Sequence, residues 1–191
     1  MKELKELIKF LLGFMPWLLF LFLSGHTLAS LERSIIISLL ANPVFGFKEL
    51  RKGFILQWGT LLFFIVCAIT INLMHFMFFA EYMGIISNGF LAGIIWVTLF
   101  IGKPFTLQYA TAELPKERWN DPGLINSCRF IALVWAIILT FSTLIACIRI
   151  LKPDLFPGWV YFDISIVTIL GGSIFTTLYK TYKRNQYHPT N

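Results

Sequence analysis

Long apolar runs separated by short polar stretches set the pattern of this chain. Six runs approach the roughly 20 residues that a helix needs to cross a hydrocarbon core. They are Ile8–Ser24, Leu28–Phe47, Phe54–Phe79, Tyr82–Ile101, Cys128–Ile150 and Trp159–Tyr179. The pattern predicts an all-α protein, a polytopic membrane bundle of about six segments forming one domain over residues 1–191. The first two runs are the least regular. Pro16 interrupts the first. The second carries Glu32 and Arg33 near its start and Asn42-Pro43 near its end, which leaves only Ile35–Leu40 uninterrupted. Two full spans and a tilted, incomplete hairpin both remain open for this pair, and both return the chain to the same side. Between runs four and five, residues 102–126 form a polar connector. Gly102-Lys103-Pro104 closes run four. Beyond it, Phe105, Tyr109 and Ala112 share one face of an amphipathic helix that Pro115 ends.

Composition makes lipid the solvent. The chain has 191 residues, of which 57% are hydrophobic, 17% aromatic and 14% charged, with 20 Phe. A soluble domain has about 45–50% apolar and about 25% charged residues. The net charge of +6 does not point to nucleic acid, because the basic residues sit between the apolar runs and mark topology. Thirteen of the 16 Lys and Arg fall on one side: Lys2, Lys5 and Lys9; Lys48, Arg51 and Lys52; Lys103, Lys116, Arg118 and Arg129; Lys180, Lys183 and Arg184. Arg33, Arg149 and Lys152 fall on the other. An excess of Lys and Arg marks the cytoplasmic face, so both termini are expected there, with the first run retained as a membrane segment.

The chemistry on offer is sparse. Cys67, Cys128 and Cys147 match no zinc or redox spacing. No two of His26, His75 and His188 are three or four residues apart, so neither a metal nor a haem site is predicted. There is no nucleophile–base pair, phosphate loop or dinucleotide fingerprint. No enzyme and no cofactor are expected. Ionisable residues near the bilayer are functional candidates by default. Glu32, Arg33, His75, Glu81, Arg149 and Asp163 all lie near the outer ends of runs and are candidates for a polar pocket holding a lipid headgroup or small polar ligand. An Arg33–Asp163 link is one expected pairing. The alternative is that each reaches water separately. Lys103, Phe105, Gln108 and Tyr109 on the connector are candidates for contact with a partner or with lipid. Gly89 and Gly93 form a small-xxx-small pair suited to helix packing within the chain, or to a dimer.

Several stretches together resemble the intracellular septation protein A (YciB) family of bacterial inner-membrane proteins. They are "LIKFLLGFMPWLLFLFL", "FKELRKGFILQWGTLLFFIVCAITI", "INSCRFIALVWAIILTFSTLIACI" with Asn126 and Trp135, and "GWVYFDISIVTILGGSIFTTLYKTYKR". The connector between runs four and five is longer here, as in a distant relative. The resemblance implies a non-enzymatic role in cell-envelope maintenance, septation or division, exercised in the inner membrane through lipids and other envelope proteins. It carries over no catalytic residue. The alternative is a small transporter, channel or lipid-handling protein using the outer polar cluster.

Overall fold

A computed structural model describes residues 12–25, 27–112, 114–152, 154–155 and 157–187. The side chains of residues 158–159, 161–163 and 184–187 lie outside that description, as do the N-terminal lysines, the start of run one, His26 and His188. Among the described residues the chain is helical: α1 (Met15–Leu23), α2 (Leu28–Arg51), α3 (Ile55–Cys67) continued by a π-helical turn (Ala68–Leu73), α4 (Met77–Glu81), α5 (Met83–Phe100), α6 (Phe105–Thr111), α7 (Pro122–Leu151) and α8 (Gly158–Tyr187). Five stretches are long and apolar enough to cross a membrane: Leu28–Arg51, Ile55–Leu73, Met83–Phe100, Pro122–Leu151 and Ile164–Lys183.

Helix ends follow local chemistry. Thr27 and Ser30 cap α2 reciprocally, which satisfies amides that a helix start leaves unpaired. Asp121 accepts from the Gly123 amide at 2.8 Å and Pro122 opens α7, where a missing N–H costs nothing. Gly53 and Gly102 adopt φ of 73° and 77° immediately after α2 and α5. There the amides of Phe54 and Lys103 reach back to the carbonyls of Glu49 and Thr98, both at 3.0 Å. A left-handed glycine is what allows that return.

The irregular first pair of runs resolves unevenly. Of run one, α1 has nine residues, or about 14 Å at 1.5 Å per residue, with Leu12-Gly13 helical before a turn at Phe14; the start of the run lies outside the described residues. Run two is longer than its polar residues suggest: α2 has 24 residues and continues through Asn42-Pro43 with a non-helical kink at Gly46. Packing of α1 and α3 on α2 carries the helix past its proline. Run three is not one clean helix either. It widens into the π turn and stops at His75, whose φ is 52°. Run five begins at Pro122 rather than Cys128, which shortens the connector.

The interior holds polar groups while large apolar side chains lie on the perimeter. Ser34, Ser38, Asn42, Gln57, Thr60, Thr98 and Thr176 are buried, while Phe100, Leu151, Leu73 and Val44 are 73–82% exposed. Exposed side chains of that kind belong against lipid, where bundles are held by close packing and interhelical hydrogen bonds. Three tryptophans donate across helices to threonine hydroxyls: Trp17 to Thr60 at 3.0 Å, Trp96 to Thr140 at 3.0 Å and Trp135 to Thr176 at 2.9 Å. Each threonine in turn donates to a carbonyl four residues back in its own helix. At Gly172 an added Cβ would lie 2.8 Å from the Trp135 ring, so the α7–α8 crossing depends on that glycine. Gly89 packs toward Thr143 of α7, whereas Gly93 faces open space.

Candidate binding cavity

A cavity of about 800 Å³ opens between the end of α1, the start of α2, α4, the start of α5, the second half of α7 and the first half of α8. Antiparallel connections bring these ends together at the face opposite the basic loops. The floor is aromatic and aliphatic. Phe14 stacks on Trp135 with ring centroids 5.2 Å apart, and Trp17 and Phe20 lean on Phe64 at 5.1 and 5.6 Å. Leu91 and Leu139 complete the buried base. Small polar groups line the wall. Ser87 donates to the Gly84 carbonyl, Asn88 donates to the same carbonyl at 2.9 Å, and Ser142 and Thr168 share a hydrogen bond of 3.0 Å between α7 and α8. The exposed side chains of Glu81 and Arg149 stand at the mouth. A site with an apolar base and a few convergent polar groups suits an amphipathic molecule.

The sequence candidates divide between two places. Arg149 and Glu81 line the cavity; Glu32, Arg33 and His75 do not. Those three belong to the neighbouring α2–α3 corner. Glu32 lies 3.7 Å from the His75 ring, and Asn72 donates to the Glu32 backbone carbonyl at 3.1 Å. Arg33 donates to the Ala29 carbonyl of its own helix at 3.0 Å. The described outer ionisable residues therefore do not converge as one cluster, because α2 turns its charged start toward α3 while Arg149 of α7 lines the cavity. The Asp163 side chain lies outside the described residues; its neighbours Ile164 and Ser165 line the cavity. Among the described residues, no three of His, Cys, Asp and Glu gather as metal ligands would.

The connector candidates need a correction. Phe105 has no exposed surface, Thr106 is buried and donates to the Cys128 carbonyl at 2.6 Å, and Gln108 accepts from the Ile55 amide at 2.9 Å. Tyr109 meets Phe54 edge-on, centroids 4.6 Å apart. Burial and the nearby Glu49 carboxylate hold its phenol well above the usual tyrosine range. The start of the apolar face of α6, at Phe105, is thus spent inside the protein, while Tyr109 is half-buried and Ala112 is exposed. Lys103 alone of the four is exposed.

Ser87, Ser142, Thr168, Trp17 and Trp135 are site residues that the charge-based reading missed. Their signal in the sequence was small hydroxyls and tryptophans in the middle of apolar runs, away from any interface. No protein-family model, curated protein or solved structure matches this chain.

Proposed function

We propose that this chain is a non-enzymatic membrane protein that holds a lipid-like molecule in the cavity, its polar head at Glu81 and Arg149 and its apolar part against Trp17, Phe20 and Trp135. The carrying observation is the combination of a charged mouth and an aromatic floor in one cavity. Its volume of about 800 Å³ falls within the range of about 300–1,000 Å³ usual for small-molecule sites. The distribution of Lys and Arg supports a mouth facing away from the cytoplasm. The resemblance to septation-type inner-membrane proteins supports a setting in the cell envelope, where a bound lipid would be native material. Burial of Phe105 and Thr106 weighs against a docking scaffold built on the connector.

Native mass spectrometry of the full chain released from nanodiscs tests this reading. A phospholipid adduct is expected to survive activation on the wild type. Ser87→Phe, which places a ring in the cavity, is expected to remove it with little change in melting temperature, and Arg149→Gln is expected to shift the headgroups retained. Equal adducts on all three proteins would show bulk lipid only and overturn the reading.

A further inference from the structure

The α2–α3 interface holds a second, separate polar feature. Ser34, Ser38, Asn42 and Gly46 recur every four residues along α2, and all are buried. This is the face that meets α3, since a Cβ on Gly46 would run into the Gln57 amide. Ser38, Asn42 and Gln57 are at most 1% exposed. The Ser38 hydroxyl, both polar atoms of the Asn42 amide and the Gln57 amide nitrogen have no hydrogen-bond partner. Pro43 has no N–H, so the Leu39 carbonyl lacks the donor that a regular helix would supply. The polar groups along this face thus include two unpaired amide NH₂ groups, an unpaired amide oxygen and an unpaired hydroxyl.

A buried polar group without a partner costs about 1–3 kcal/mol by mutational measures. Several at one place are not sustained dry, and the composition of the set selects what satisfies them. A cation would meet the NH₂ groups of Asn42 and Gln57. An anion would meet Asn42 Oδ1 and the Leu39 carbonyl. No charged side chain is among these groups to compensate either ion. Water donates and accepts, and suits a neutral mixed set. We propose that Ser38, Asn42, Gln57 and the carbonyl freed by Pro43 bind internal water, forming a hydrated seam in the kinked half of α2. Proteins hold about one buried water per 27 residues, each with about three polar partners. None of Ser38, Asn42 and Gln57 lines the cavity, although Trp17 on its floor bonds to Thr60, one turn beyond Gln57 on α3.

Water-edited solid-state NMR on the full chain in lipid bilayers, with ¹⁵N-labelled Asn and Gln, is the test. The side-chain NH₂ signals of Asn42 and Gln57 are expected to receive magnetisation from water early, well before the backbone amide of the buried Ile35. Asn42→Ser identifies the first signal by its loss while keeping a small polar group. Gly46→Ala, which drives Gln57 from its seat, is expected to slow or abolish transfer to the second. Transfer to neither NH₂ group in the wild type would mean a dry seam, with Asn42 and Gln57 bonded directly to each other, and would overturn the proposal.

Discussion

At one end of the bundle α6 folds back against α3 and α7. At the other, α1 stops at Leu23 and, among the described residues, no comparable helix fills the space between α5, α7 and α8. The first end is plugged by Phe105, sealed by hydrogen bonds from Thr106 to Cys128 and from the Ile55 amide to Gln108, and capped by the Phe54–Tyr109 contact. The second keeps its cavity and places Glu81 and Arg149 at the rim. The polar contents differ accordingly. At the closed end Thr106 and Gln108 are paired within the chain and tie α6 to α7 and α3. At the open end charges are presented. A short amphipathic helix is therefore not by itself a docking surface, since one apolar face can be absorbed by the protein that carries it.

The comparison predicts unequal sensitivity. Phe105→Ala removes a fully buried ring that helps to hold α6 in place, and should cost about 3–5 kcal/mol, the usual toll for Phe→Ala in a core. A steep fall in melting temperature in detergent would register it. Glu81→Gln at the open rim should leave stability within about 0.5 kcal/mol, as surface changes do. If the two variants melted alike, the distinction between a sealed and a presented end would be lost.

A smaller effect is expected where the two halves join. Thr176→Val keeps the shape of the side chain and leaves the buried Trp135 N–H without its acceptor. That should cost about 1–3 kcal/mol, and Trp135→Phe in the same background should recover part of it. No recovery would mean that the Trp135–Thr176 bond does not carry the α7–α8 contact.

Helix content and the positions of most spans were legible because apolar run length is a direct physical requirement of the bilayer. The site was less so. Charge drew attention to Glu32, Arg33 and His75, yet these belong to a corner outside the cavity. What decides membership is the rotation of each helix about its axis, and run length does not encode that. Helical spacing put Phe105, Tyr109 and Ala112 on one face of α6, but it carries no information on whether protein or lipid covers that face. Asn42-Pro43 misled in the other direction. Locally it argues for a break, and tertiary packing against α1 and α3 carries α2 through it. The tryptophans held the missed signal: Trp17, Trp96 and Trp135 lie within apolar runs, and each finds an acceptor inside the bundle.

The mildest test concerns Tyr109 at the closed end. Burial first, and the Glu49 charge second, raise its phenol above the usual value of 10.0. In the unfolded chain the group loses its proton near pH 10, while in the folded protein it keeps it. Above that pH the unfolded state binds fewer protons, so stability falls as pH rises. The contribution is whole below the unfolded value and is lost progressively above it. Tyr109→Phe removes the titration and keeps the ring against Phe54. The variant should match the wild type within about 1 kcal/mol at pH 7, the scale of a hydroxyl without a specific buried bond, and should lose less melting temperature between about pH 9.5 and 11. Parallel alkaline limbs for the two proteins would place the phenol in contact with water, and the end closed by α6 would then be as open as the one that holds the cavity.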